Sequence, residues 1–173
     1  VALFANEGKI PIGAESTATE ITAVRNAAAA AGVRPSMLLG HTRLDLAPET
    51  AVNNYKRLVD NAASVGVEWL LDLGTGDEVL YDAYFALMRE AAPYAQSVGL
   101  KITMKPHGGI SLTTEDLLAA HRRIDHSAFG ICYDPGNIIY FVWICLDTHQ
   151  RDSVETHFFR IWHCDYTDDF ILY

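Results

Sequence analysis

Apolar and polar positions follow a repeating order along this chain. Three alanine-rich stretches with apolar residues at helical spacing each end at a glycine, and a short apolar run follows each glycine. The glycines are Gly32, Gly66 and Gly99, so the intervals are 34 and 33 residues. Glycine commonly ends a helix because it adopts the left-handed conformation easily, and short apolar runs are typical of buried strands. The pattern therefore predicts repeated helix–strand units of a parallel β/α fold.

Residue types at the helix ends support these units. Thr17 and Glu20 have the spacing of a capping box ahead of an apolar helical face. Helices are predicted to start after Thr17, at Pro48, near Val79 and after Thr113 or Thr114, with a bend in the third at Pro93. Strands are predicted near residues 1–5, 37–39, 67–73, 100–104, 129–133 and 158–162.

The chain length limits how this fold is completed. A closed β/α barrel typically needs about 250 residues and rarely fewer than about 200, whereas this chain has 173. The predicted fold class is therefore α/β, a TIM-barrel-like but incomplete barrel of about six parallel strands. An open sheet is one alternative; a barrel fragment that begins inside its second unit is the other, and the absence of a methionine at Val1 favours it. A single domain is expected over residues 1–173.

The segment 138–173 differs from the rest of the chain. It holds nine of the 18 aromatic residues in 36 positions, and the helix–strand spacing stops there. Residues 140–146 fit a strand or a helix, and the pattern does not choose between them. If this tail leaves the sheet incomplete, the open sheet edges are expected to form a homo-oligomer.

Composition excludes several classes of function. The chain has 13 Lys and Arg against 22 Asp and Glu, a formal charge of −9, which disfavours nucleic-acid binding through phosphate contacts. It has neither a long uncharged apolar stretch nor a basic, then apolar N-terminus, so we expect a soluble cytoplasmic protein without membrane contact. Its three cysteines have no metal-site or disulfide spacing and are expected to be reduced thiols.

Polar residues with useful chemistry follow the predicted strands. In a parallel β/α barrel the C-terminal ends of the strands meet on one face, and the catalytic loops lie there. Histidines, carboxylates and a lysine that converge on this face would suit acid/base or metal-assisted chemistry on a polyol. The candidate residues are His41, Asp72, Lys105, His107, Asp134, Asn137 and His163.

Several candidates also have a purely structural interpretation. His41 fits a loop histidine with local hydrogen bonds, and Asp72 fits a turn formed with the glycines that follow it. Asp134 precedes a Pro-Gly pair that is ideal for a tight turn, while apolar neighbours of His163 could simply bury it. The segment 105–109 is more specific to a site, because its proline and two glycines bring backbone close to a ligand.

Two segments resemble a known family. KITMKPHGGISLTTEDLL and FGICYDPGNI are similar to segments of the sugar phosphate isomerase/epimerase family of xylose isomerase-like barrels, which is more distantly related to endonuclease IV. The resemblance covers approximately residues 18–140. It implies that Asp134 ligates a divalent cation (Mn, Mg, Co or Zn), that His107 contacts substrate or transfers a proton, and that His163 is a further ligand. No organic cofactor is expected.

The chain departs from this family at two positions of the site. Lys105 stands where many members have a ligating Glu, and Asn137 stands where they have a His. The Glu of the last barrel strand has no counterpart in this sequence. An ammonium group beside Asp134 could neutralise that carboxylate in place of a metal and would repel a divalent cation. It would instead suit an anionic oxygen of the substrate.

The resemblance and the residues lead to three hypotheses about function. The first is a sugar or polyol isomerase or epimerase that works through an enediol or enediolate, with Lys105, His107 and Asp134 as catalytic residues. Substrate contacts are then expected from His41, Asp72 and Asn137. The second is a non-catalytic carbohydrate-binding or assembly remnant of the same barrel. The third is a metal-dependent phosphoesterase, which the acidic charge disfavours.

Overall fold

The computed structural model of the chain describes residues 1–4, 9–145 and 170–172. A short 3₁₀ turn, Glu78–Leu80, precedes the third helix. The elements in chain order are β1 (Ala2–Leu3), α1 (Ala18–Ala30), β2 (Met37–Leu39), α2 (Pro48–Val65), β3 (Trp69–Asp72), α3 (Tyr81–Ser97), β4 (Lys101–Met104), α4 (Thr114–Ile124), β5 (Phe129–Tyr133), α5 (Pro135–Cys145) and β6 (Phe170–Leu172).

The strands form one sheet whose order in space is their order in the chain, β1 to β6. Each neighbouring pair from β1 to β5 is parallel, which confirms the α/β class and the repeated units. The sixth strand differs from the expected parallel one, since β6 is antiparallel to β5. The strand predicted at 158–162 lies outside the described residues. The parallel part is an open arc of a β/α barrel with its strand C-termini on one edge.

Helix ends follow the residue types that predicted them. Thr17 and Glu20 form the expected capping box, and Gly66 ends α2 with a φ of 92°. At the end of α4, where the sequence has no glycine, Asp125 takes the left-handed conformation with a φ of 49°. Pro93 lies inside α3, which continues to Ser97.

The two faces of the sheet have different neighbours. Leu70 on β3 and Ile102 on β4 are paired in register, and both are fully buried in the core formed with the helices. Leu71 and Thr103, also in register, alternate to the other face, which is the inner face of a barrel. The residue two positions after Thr103 is Lys105, so the alternation directs it toward the inner face.

The sequence pattern did not decide between a strand and a helix for residues 140–146, and the structure shows that residues 140–145 belong to helix α5. Residues 135–145 are helical, so the Asp-Pro-Gly-Asn segment begins a helix and is not an isolated turn. The backbone N–H of Ile138 donates to the carbonyl oxygen of Asp134 at 3.1 Å, as in the first turn of a helix. No helix in the described part of the chain has the length and apolar character needed to cross a membrane.

Candidate functional site

Lys105 and Asp134 form an ion pair at the C-terminal edge of the sheet. The Nζ atom of Lys105 lies 2.8 Å from Oδ2 of Asp134, and the side chains are only 17% and 12% exposed. Lys105 directly follows β4 and Asp134 directly follows β5, two neighbouring parallel strands. The expectation that adjacent strands bring these two residues to the same edge is therefore met by the geometry.

The carboxylate of Asp134 also caps helix α5. Its Oδ1 accepts a hydrogen bond from the backbone N–H of Asn137 at 2.9 Å, the bond that an N-cap aspartate makes. Partial burial favours the neutral acid, but the hydrogen bonds from Lys105 and from backbone N–H groups outweigh it and lower the pKa of Asp134 below its usual value. The side chain is therefore an ionised carboxylate at neutral pH, with both oxygens engaged.

Asn137 ties the two neighbouring loops together. Its side-chain Nδ2 donates to the carbonyl oxygen of Pro106 at 2.8 Å, and its own backbone N–H is bound to Asp134. One residue thus holds the backbone next to Lys105 and the carboxylate that Lys105 contacts. Predicted from sequence as a substrate-binding residue, Asn137 lies beside the ion pair.

His107 lies on the same loop as Lys105, two positions further on, and is exposed. Its ring centroid is 4.6 Å from that of Phe141 on α5, with the planes tilted by 47°. Its backbone N–H donates to Oγ of Ser111 at 3.1 Å. The imidazole is therefore packed on one side and open to solvent on the other, as an acid/base group at a site entrance needs to be.

Ser111 is a residue of this loop that the sequence reasoning did not select. It is fully buried, and its hydroxyl lies within hydrogen-bond distance of the carbonyl oxygens of Leu73 and Gly108, 3.2 Å from each. The backbone N–H of Ile110 donates to the carbonyl oxygen of Thr75 at 3.0 Å. These bonds join the loop after β3 to the loop that holds His107. The available signal was a small polar residue two positions after Gly109.

His41 borders two cavities on the same edge of the sheet. The cavities have volumes of about 310 and 360 Å³, and His41 and Leu39 line both. The first also includes Asp72 and Thr75, so His41 and Asp72 are brought to one cavity. Through Thr75 this cavity adjoins the loop that holds His107.

Asp72 has a structural environment. The carboxylate is 1% exposed and accepts hydrogen bonds from the hydroxyls of Tyr84 at 2.9 Å and Tyr55 at 3.3 Å, and from the N–H of Gly74 at 2.9 Å. Burial raises the pKa of Asp72, although these hydrogen bonds oppose the shift. The group joins α2 and α3 to β3 and shapes the following turn, so the geometry favours the structural interpretation over direct substrate contact.

The donor set of the described residues does not fit a divalent cation. No three His, Cys, Asp or Glu side chains among residues 1–4, 9–145 and 170–172 are grouped so that they could hold a metal. Both oxygens of Asp134 are engaged, one of them with an ammonium group. His163, the other expected ligand, lies outside the described residues.

The family of the chain follows from comparison with known proteins. The family model of xylose isomerase-like TIM barrels matches residues 1–166, so the chain belongs to this family. The fold and the resemblance stated from two segments of the sequence are thereby confirmed. No curated protein sequence matches the chain significantly.

Solved structures show the same fold. A xylose isomerase-like TIM barrel protein from Mycobacterium smegmatis in complex with magnesium is 21% identical, with a TM-score of 0.60 over 73% of this chain and 49% of that one. D-psicose 3-epimerase in the presence of D-fructose is 11% identical, with a TM-score of 0.58 over 72% and 51%. A D-tagatose 3-epimerase-like protein is 20% identical, with a TM-score of 0.57 over 71% and 53%. The matched region is about half the length of these proteins.

Proposed function

We propose that the chain forms the substrate-binding edge of a sugar or polyol isomerase or epimerase that moves a proton between adjacent carbons through an enediol or enediolate. The observation that supports this most is the Lys105–Asp134 ion pair of 2.8 Å at the C-terminal edge of parallel strands, with His107 on the same loop. Membership of the xylose isomerase-like family and the epimerases among the similar structures support the reaction class.

Each residue of this edge has a role in the proposed reaction. His107, whose ring packs against Phe141 and is otherwise open to solvent, accepts the proton from the carbon next to the substrate carbonyl. The electron pair moves onto the carbonyl oxygen, and the ammonium of Lys105 stabilises the resulting enediolate. In an isomerisation, His107 returns the proton to the former carbonyl carbon, and the hydroxyl proton of the first carbon moves to the former carbonyl oxygen. In an epimerisation, a proton from solvent adds to the opposite face of the carbon that lost its proton, and His107 releases its proton to solvent. No oxidant or reductant is consumed.

The remaining polar groups orient the substrate. Asp134 is ionised and can accept a hydrogen bond from a substrate hydroxyl while it holds Lys105. His41, on the cavity that adjoins the His107 loop, and Asn137, beside the ion pair, offer further hydrogen bonds to hydroxyl groups. Asp72 stabilises the site indirectly, because its hydrogen bond to the backbone N–H of Gly74 fixes the turn after β3.

Solvent exchange tests the proton transfer without knowledge of the true substrate. Ketoses, aldoses and inositol-derived ketones, free and phosphorylated, are incubated with the protein in D₂O, and NMR follows deuterium entry next to the carbonyl. We expect exchange with at least one compound and a loss of about 10²-fold or more in His107→Ala. His121→Ala, on α4 beside a cavity at the opposite end of the strands, is the matched control. Exchange that persists in His107→Ala would contradict the assignment.

A non-catalytic carbohydrate-binding protein is the second candidate. It is favoured by Lys105, which stands where many family members have a ligating Glu and whose ammonium group lies 2.8 Å from Oδ2 of Asp134. Sugar binding in calorimetry with no exchange of any panel compound would select this candidate. Association through sheet edges also stays a prediction, and light scattering after size-exclusion chromatography checks it.

A further inference from the structure

We propose that the ammonium group of Lys105 takes the place of a divalent cation, so that the site works without a metal ion. The inference rests on the proposed function for its catalytic meaning, but its physical basis is the ion pair itself. Lys105 Nζ lies 2.8 Å from Asp134 Oδ2, which is the distance of a charge-assisted hydrogen bond.

A cation at Asp134 would have to displace contacts that are already made. Oδ2 of Asp134 is bound by the ammonium group, and Oδ1 by the backbone N–H of Asn137. The N–H bond also caps α5, so a cation that took Oδ1 would open the first turn of the helix. Among residues 1–4, 9–145 and 170–172, no two further His, Cys, Asp or Glu side chains join this carboxylate in a group that could hold a metal, whereas Mg²⁺ and Mn²⁺ prefer several oxygen ligands.

The local electrostatic potential opposes a cation as well. Lys105 adds one positive charge within contact of the carboxylate, and the N-terminus of α5 adds the positive end of its helix dipole. At a distance of a few Å a divalent ion would be repelled by the ammonium group about twice as strongly as a monovalent ion. The same potential attracts an anionic oxygen, which is the charge that develops on an enediolate.

Because the pair is partly buried, the repulsion of a cation and the attraction of an anionic oxygen are stronger than they would be at a solvent-exposed pair. The Lys105 and Asp134 side chains are 17% and 12% exposed, so solvent screens their charges less than those of exposed pairs. The ammonium group neutralises the carboxylate. It can therefore perform one task of a Lewis-acidic cation here, charge compensation.

The experiment measures Mn²⁺ binding directly and does not require turnover. The full 173-residue chain is titrated with Mn²⁺ up to millimolar concentration, and electron paramagnetic resonance counts the unbound ion. Five proteins are compared: wild type, Lys105→Met, Lys105→Glu, Asp134→Asn and the double variant Lys105→Glu/Asp134→Asn. We expect no specific binding in the wild type and at least about a tenfold gain in affinity in Lys105→Glu, because one cation is replaced by a second carboxylate. The double variant should lose that gain.

Two results would overturn the inference. One is specific Mn²⁺ binding by the wild type that Asp134→Asn abolishes. The other is a Lys105→Glu variant that is folded by circular dichroism and binds no more Mn²⁺ than the wild type, since something other than Lys105 would then exclude the ion. If a substituted chain fails to fold, the wild-type and Asp134→Asn titrations decide alone.

A second experiment tests whether catalysis is independent of a metal ion. If the deuterium exchange described above is observed, it should continue unchanged after exhaustive treatment with EDTA, and Lys105→Met should lower it by about 10²-fold. Exchange that stops with EDTA and returns with Mn²⁺ would overturn metal independence while it leaves the isomerase or epimerase proposal standing. The absence of any exchange would remove the proposed function but would leave the Mn²⁺ titration valid.

Discussion

The side chain of Asn137 donates a 2.8 Å hydrogen bond to the carbonyl oxygen of Pro106. This bond links the first turn of α5 to the backbone that directly follows Lys105. Two interactions therefore keep Lys105 and Asp134 together. One is the attraction between their charges, and the other is the neutral hydrogen bond between the two loops. The relative position of the two strand ends depends on both.

Asn137→Ala should weaken this link. The carbonyl oxygen of Pro106 loses its donor, and we expect a loss of about 1 kcal/mol in the free energy of unfolding, measured by urea denaturation. Asn53→Ala, at an exposed position of α2, is the matched control and should change stability by less than about 0.5 kcal/mol. Equal effects of the two substitutions would show that the bond does not stabilise the loop.

Gly109→Ala should destabilise the junction between the loops after β3 and β4. Gly109 has a φ of 53°, and a Cβ atom there would lie 2.4 Å from the carbonyl oxygen of Thr75. Steric overlap and the left-handed conformation together should cost about 2–4 kcal/mol. Gly76→Ala is the control, because a Cβ atom there meets nothing within 4 Å. Thermal unfolding of the two variants provides the measurement. Similar midpoint temperatures for Gly109→Ala and Gly76→Ala would contradict the close approach of Gly109 to Thr75.

Asp134→Asn should change stability most at neutral pH. The folded-state pKa of Asp134 lies below its ordinary value of 3.8, so the ionised form is stabilised by folding. That contribution, about 2 kcal/mol for a charge-assisted bond, is present above the ordinary value and is lost as pH falls through the folded-state pKa.

Urea denaturation of both proteins between pH 7 and pH 2 provides the measurement, with Asp45→Asn as the control. Asp45 pairs with Arg43 in an exposed position, where the effect should be small at every pH. A difference between wild type and Asp134→Asn that does not shrink in acid would rule out the ionised pair.

Asp72→Asn should show the opposite dependence on pH. Burial raises the folded-state pKa of Asp72 above its ordinary value of 3.8, so folding favours the protonated acid. The wild type is therefore expected to lose stability relative to the variant as pH rises from the ordinary value to the folded-state pKa. Tyr84→Phe, which removes one hydrogen bond to Asp72, should raise the pKa of Asp72 further and steepen this loss.

Denaturation curves at closely spaced pH values distinguish the two aspartates. The difference in unfolding free energy between wild type and variant is expected to change with pH in opposite directions for Asp72→Asn and Asp134→Asn. Parallel slopes would mean that at least one of the two environments differs from the one described here.

The sequence by itself determined the order of helices and strands from β1 to β5 and the edge of the sheet at which Lys105 and Asp134 lie. Capping boxes, glycine caps such as Gly66 and short apolar runs are local signals, because they depend on residues within one turn or one strand. Two motifs also sufficed to recognise the family. The rule that the C-terminal ends of parallel strands meet on one face then placed Lys105 and Asp134 at the same edge of the sheet.

Only the tertiary structure decided what each polar group touches. The carboxylate of Asp72 accepts hydrogen bonds from two tyrosines, one on α2 and one on α3. Asp134 caps α5, and Ser111 links the loops after β3 and β4. Such contacts join residues far apart in the chain, and their energies depend on burial and distance, which no local pattern specifies. The strand Phe170–Leu172 and its antiparallel direction were not predicted for the same reason, since strand pairing is a long-range choice.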